Sequence, residues 1–264
     1  MTPARRKTYL KALGVESWVP RDAAVEALAD VAVDSRVALA PSPQPPSPLG
    51  VRESIPIMAK SAVVPAKPVE TRPAEPLPTD WAGLRAAVKN CERCKLCATR
   101  TNTVFGVGPE NATLMVVGEG PGADEDAQGE PFVGRAGKLL DEMLAAIGRS
   151  RRDSVFIANV VKCRPPGNRD PEVDEVEACR PFLEQQIRLV KPQLILGLGR
   201  IAAQRLLATD QPLTKLRGPI HAYGSERTPL FITYHPAYLL RSPREKAKSW
   251  DDLKKVWRFL KAGA

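Results

Sequence analysis

Five cysteines and the distances between them are the first feature of this 264-residue chain with chemical content. Cys91 and Cys94 form a C-x2-C pair, and Cys163 and Cys179 form a much wider C-x15-C pair. Four thiolates gathered in space suit a tetrahedral zinc ion or an iron–sulfur cluster. Zinc ribbons usually carry two tight pairs, so the wide second spacing favours iron and sulfur. Cys97 extends the first pair into a C-x2-C-x2-C run and is a fifth candidate ligand. Five unconnected buried thiols are the bland alternative. A disulfide framework is the least expected use, because the N-terminus does not resemble a secretory leader and a cytoplasmic location is expected.

A second group of residues could serve a ligand. Gly118-Glu119-Gly120-Pro121-Gly122 follows a short apolar run, and its glycines let the backbone come close to a bound molecule. No G-K-[ST] follows and no G-x-G-x-x-G is completed, which removes two common nucleotide loops. Asp124, Glu125 and Asp126 would line a phosphate cradle badly and suit a place where positive charge develops. Phe132 lies in the glycine-flanked Glu130-Pro131-Phe132-Val133-Gly134, either as local core or as a stacking surface. His235 directly follows another apolar run, where a histidine is a structural cap or a polar group aimed at a ligand. His221 has no such context.

A parallel sheet would bring these segments together. Residues 114–117, 155–158, 194–198 and 230–234 read as buried strands. Helical spacing marks 81–88, with Thr79 or Asp80 as its cap, and also 134–147, 173–190, 201–207 and 249–261. The alternation predicts an α/β fold with a four-stranded, mostly parallel sheet between helices. Ligands of such sheets bind beyond the carboxyl ends of the strands. Gly118, Asn159 and His235 stand at three of those ends, so distant segments are expected to share one crevice.

Composition divides the chain. Residues 1–78 hold 13 of its 26 prolines and show no sustained apolar period, so they are predicted to stay largely disordered. Within them, residues 5–18 are either a frayed terminus or a short amphipathic helix that docks a protein partner. Residues 79–264 are long enough for one core and form the predicted globular domain that carries these candidate site residues. No run of eighteen apolar residues occurs, so no membrane span is expected. The net charge of +9 is uneven: residues 79–210 carry 18 basic and 18 acidic side chains, residues 211–264 carry 11 and 4. A basic patch at one end is what a polyanion-binding face needs, although a solvated helix face has the same composition. Arg241, Lys246 and Lys248 are its candidate phosphate contacts.

Four motifs in chain order carry a resemblance. Gly118-Glu119-Gly120-Pro121-Gly122 with Glu125-Asp126 is the first, and Pro131-Phe132-Val133-Gly134 with Gly137 the second. Asn159-Val160-Val161-Lys162-Cys163-Arg164-Pro165-Pro166 and His235-Pro236-Ala237-Tyr238 complete the set. Together, with the cysteines interleaved in order, they resemble the family 4 uracil-DNA glycosylases across residues 81–260. Each motif alone is weak; four in order are specific. The resemblance implies a [4Fe–4S] cluster on Cys91, Cys94, Cys163 and Cys179, with Cys97 outside the ligand set. It implies the superfamily's sheet fold, uracil-containing DNA as substrate, and hydrolysis of the N-glycosidic bond after the base is flipped out. By the same resemblance Phe132 stacks on uracil, Asn159 pairs with its O4 and N3–H edge, and His235 donates to O2. Glu119 and Glu125 would supply carboxylates near the sugar cation and the attacking water, and Gly118 and Gly120 backbone N–H groups for the carbonyls. A related branch that traps DNA covalently carries a Lys-Arg-Arg-Ile-His stretch, which does not follow Val161-Lys162 here. Two other classes stay open on the residues alone. One is a non-catalytic iron–sulfur damage sensor associated with a polymerase, which would need neither the carboxylates nor His235. The other is a redox enzyme, for which no flavin or nicotinamide motif is present.

Overall fold

The protein is described by a computed structural model over residues 77–263. The expected disorder of residues 1–78, Leu77 and Pro78 apart, and the amphipathic segment at 5–18 lie outside the described residues. Asp80 caps helix α1 (Trp81–Lys89), its Oδ1 accepting from the Gly83 N–H at 2.8 Å. Leu84 and Val88, one turn apart, bury the inner face of that helix.

The strands are β1 (Leu114–Gly118), β2 (Val155–Asn159), β3 (Leu194–Leu198), β4 (His221–Tyr223) and β5 (Thr228–Thr233). They form one sheet in the order β2-β1-β3-β5-β4. β1 pairs in parallel with β2 and β3, and β3 in parallel with β5. The remaining helices are α2 (Ala123–Gln128), α3 (Arg135–Ala146), α4 (Val173–Val190), α5 (Gly199–Leu206), α6 (Leu213–Leu216), α7 (Pro236–Arg241) and α8 (Lys246–Ala262). Strand side chains alternate between two apolar layers. Met115 and Val117 pack with Leu84, Phe182 and Ala202 of α1, α4 and α5; Leu114 and Val116 pack with Leu140, Leu239 and Val256 of α3, α7 and α8. Buried on both faces, β1, β2 and β3 are continuous apolar runs, as parallel central strands must be. Register aligns their far ends: Gly118 opposes Asn159, and Leu198 opposes Thr233.

The sheet has five strands where the sequence predicts four. β4 runs antiparallel to β5 on the edge, joined through a turn in which the Arg227 N–H donates to Gly224 O at 3.2 Å. With three residues, an exposed Ala222 between the half-buried His221 and Tyr223, it is too short to establish an alternating pattern. Helices α2 and α7, of six residues each, escape detection for the same reason. Among the described residues no helix is long and apolar enough to cross a membrane.

One polar anchor fixes α8 to the strand that delivers His235. Asp252, 3 % exposed, accepts from Arg217 Nε at 2.7 Å and Nη2 at 3.1 Å, and from Thr233 Oγ1 at 2.8 Å. A buried carboxylate so fully paired is costly to disturb, because losing one partner strands the other. Thr233 closes β5, so the anchor sits two residues from His235.

Candidate active site

The register of β1 and β2 sets the Asn159 amide against a residue with no side chain. A Cβ at Gly118 would lie 2.4 Å from Asn159 Oδ1 and 2.7 Å from Phe132 Cζ, so only glycine fits. Asn159 is 2 % exposed, and its Oδ1 accepts no hydrogen bond from any described residue. Leaving a buried acceptor unpaired costs about 1–3 kcal/mol. The backbone that carries the amide is braced from the core. Lys162 Nζ donates to Asn159 O at 2.8 Å and to Gln186 Oε1 at 2.6 Å, and Gln186 Nε2 donates to Phe105 O at 2.8 Å.

Phe132 covers the amide from the other side. Its backbone is left-handed, with φ 57°, a strained state for an aromatic residue that costs on the order of 1–3 kcal/mol. Its ring lies 5.5 Å from that of His235, tilted by 31°. His235 enters from the end of β5 at a close approach to Gly199, where a Cβ would lie 2.9 Å from His235 Cβ. The His235 Nδ1 accepts from the Ala237 N–H at 3.1 Å, so in the neutral ring Nε2 carries the proton and is the donor. Burial, and secondarily the charge of Arg241, push its pKa down to about 4. At neutral pH the ring is an uncharged hydrogen-bond donor.

The two glutamates separate into different roles. Glu125 Oε1 accepts from the N–H groups of Val133 at 3.0 Å and Gly134 at 3.2 Å, while Oε2 accepts from Gly122 at 3.1 Å. Its oxygens are committed to the loop on either side of α2. Glu119 carries no such backbone clasp among the described contacts. Burial, then the neighbouring charge of Asp170, push its pKa up to about 7, against the opposing pull of Arg200. Arg200 Nη2 in turn donates to Asp170 Oδ2 at 2.6 Å.

These groups line one cleft of about 600 Å³, shared by Glu119, Gly120, Glu125, Phe132, Asn159, His235 and Arg241. Gly118 lies beneath it, between Asn159 and Phe132. Lys246 and Lys248 are not among the lining residues; Lys246 opens α8, and Lys248 pairs with Glu245 at 2.9 Å. Asn168, Asp170 and Arg200 also line the cleft and were not anticipated from the sequence. Arg200 follows the end of β3, so the strand-end rule that found the other segments applied to it as well.

The cysteines surround a different cavity. Cys91, Cys94, Cys163 and Cys179 line it together with Arg100 and Lys162, and Cys97 does not. All are free thiols. Arg100 Nη1 donates to Cys163 Sγ at 3.3 Å, and the Lys162 N–H donates to Cys179 Sγ at 3.2 Å. Burial pushes the Cys179 thiol up to about 12 and raises Cys94 and Cys163. Among the described residues no three His, Cys, Asp or Glu side chains gather tightly enough for a single metal ion.

Residues 105–261 match the family model of the Uracil DNA glycosylase superfamily. The type-4 uracil-DNA glycosylase of Sulfurisphaera tokodaii is 44% identical over 179 residues, 66% of this chain and 81% of that protein. That of Archaeoglobus fulgidus is 43% identical over 175 residues, 64% of this chain and 87% of that protein. This chain belongs to the type-4 uracil-DNA glycosylases. A type-4 relative in Thermotoga maritima, 43% identical over 178 residues, spans 66% of this chain and 91% of that protein. The family match covers every cleft-lining residue named above and two of the four cavity cysteines, Cys163 and Cys179.

The state of His235 in this type-4 glycosylase is testable by titration. The folded ring resists protonation until about pH 4, whereas an unfolded histidine takes its proton near 6.5. Between those values the unfolded chain binds more protons, so His235 makes the fold less stable as pH falls through that window and contributes no slope above it. NMR of the imidazole is expected to show the neutral Nε2–H tautomer held well below pH 6.5. A midpoint at the ordinary histidine value would contradict the buried, Nδ1-accepting arrangement.

Proposed function

We propose that this chain excises uracil from DNA, hydrolysing the bond between base and deoxyribose to release free uracil and leave an abasic site. The observation that carries the reading is the buried Asn159 amide, its oxygen unpaired, at the floor of an aromatic-walled cleft. In a duplex the base is hidden, so it must rotate out to reach that floor. The Asn159 Oδ1 then accepts from uracil N3–H while Nδ2 donates to O4. Cytosine presents the reverse pattern at both positions and would leave two buried groups opposed. Phe132 stacks on the base.

Bond cleavage leaves an oxocarbenium-like sugar and a uracil anion, and both charges need stabilising. The His235 Nε2–H donates to O2 as negative charge gathers there, aided by backbone N–H groups at Gly118 and Gly120. A neutral donor suits this role, since it strengthens its hydrogen bond without first giving up a proton. Glu119 supplies the carboxylate beside the sugar cation and the attacking water. With a pKa near 7 its charged fraction grows as pH rises through neutrality. Glu125, its oxygens held by backbone N–H groups, positions the loop instead of touching water. Arg241 at the cleft, with Lys246 and Lys248 beyond it, contacts phosphates.

The cysteine cavity fits an iron–sulfur cluster. Its donors are four cysteine sulfurs around one small cavity, two of them accepting N–H bonds, from Arg100 and from the Lys162 backbone. We assign a [4Fe–4S] cluster to Cys91, Cys94, Cys163 and Cys179, where it supplies a cross-link between the 91–97 loop and the 163–179 segment. Uracil hydrolysis requires no electrons from it.

Two experiments test this. Incubated with an oligonucleotide carrying one uracil, the protein is expected to release uracil and leave a site that alkali nicks, with no nick where cytosine replaces uracil. His235→Ala is expected to slow single-turnover cleavage by about 10²–10³-fold with DNA affinity unchanged. An inactive but folded wild-type protein, or a folded His235→Ala at full rate, would contradict the mechanism. Metal analysis is expected to find iron, lost with stability in Cys179→Ser and retained in Cys97→Ser. Zinc without iron would refute the cluster.

A further inference from the structure

Two non-glycine residues in the cleft wall have left-handed backbones, Phe132 at φ 57° and Asn168 at φ 55°. Asparagine visits that region readily; phenylalanine does not, so something must hold it. Glu125 takes the N–H groups that follow it, as described above. The carbonyl side is taken by Arg151, in the turn ahead of β2. Its Nη1 donates to Pro131 O and its Nη2 to Phe132 O, both at 2.9 Å. The same guanidinium is oriented by Asp141 of α3, through Nε at 2.8 Å, and by Glu130 through Nη1 at 3.3 Å. Its side chain is 14 % exposed, an unusual depth for a surface-turn arginine. On the opposite side the Phe132 carbonyl presses on α3 at Gly137, where a Cβ would lie only 1.8 Å from the oxygen. The carbonyl therefore cannot relax toward the helix, and Arg151 keeps it from turning outward.

We propose that Arg151 is a positioning residue for uracil recognition: its guanidinium clamps the carbonyls of Pro131 and Phe132 and holds the Phe132 ring where the flipped base stacks. The inference rests on the reading of Phe132 as the stacking surface. Arg151 is not among the residues lining the cleft and acts only through Phe132. The clamp needs a planar fork, because two successive carbonyls and two carboxylates are met from one side chain. A lysine ammonium offers a single point charge and cannot span them.

A double-mutant cycle tests this with wild type, Arg151→Ala, Phe132→Ala and the double variant. For each, single-turnover cleavage on saturating uracil-DNA, affinity for uracil-free duplex and melting temperature are measured. Arg151→Ala is expected to slow cleavage by up to about 10²-fold, as a misplaced contact does, without changing affinity for uracil-free duplex. Added to Phe132→Ala it should change the rate little, because both remove one surface. Arg151→Lys should also be slow, and it replaces alanine in the cycle should Arg151→Ala fail to fold. Additive losses, a wild-type rate in Arg151→Lys, or a lowered melting temperature with normal cleavage would overturn the clamp alone. Wild-type cleavage by Phe132→Ala would overturn the stacking reading and the clamp with it.

Discussion

In-register pairing of β1 with β2 sets Gly118 directly beside Asn159, and the absence of a Cβ there leaves an amide buried with an oxygen unpaired. Inside a protein such a group is expensive, so the surroundings must keep it from swinging toward a partner or toward water. Phe132 blocks one direction and the sheet another. Lys162 grips the main chain beneath and fixes the backbone from which the amide projects. The same lysine's backbone N–H meets Cys179, so a single run of residues from Asn159 to Cys163 carries both the buried amide and a cavity cysteine. Loss of order at the cysteines would therefore reach the cleft through a few bonds of backbone.

Electrostatics in the cleft push two titratable groups in opposite directions. Burial keeps His235 neutral far below its ordinary range, and burial beside Asp170 brings Glu119 up toward neutrality. In the mechanism we propose, groups driven apart in this way divide the labour between a hydrogen-bond donor for the leaving base and a carboxylate for the sugar side. Arg200, paired with Asp170, opposes the rise of Glu119.

Much of this was legible in the sequence where a physical pattern was long enough to read. β1, β2 and β3 are unbroken apolar runs, and α4 spans the predicted residues 173–190. The strand-end rule located Gly118, Asn159 and His235, and the same rule would have reached Arg200. β4, α2 and α7 were invisible because three to six residues cannot establish a period. Glu125 and Arg151 were opaque for another reason: their roles depend on which backbone groups they meet, and no spacing along the chain encodes that. Asn168 and Asp170 sit on a loop whose path is set by tertiary contacts, notably Arg169 gripping the buried Glu175 at 2.6 Å.

The account stands or falls on the Asn159 amide as the group that reads the base. Substituting Asn159→Asp replaces that amide with a carboxyl, which when protonated donates where the amide accepts. Single-turnover excision should be compared on matched oligonucleotides carrying uracil or cytosine at one position. The account predicts slower uracil excision and a narrowed uracil-to-cytosine ratio in the folded variant. An unchanged ratio would contradict it and move base recognition away from the floor of the cleft.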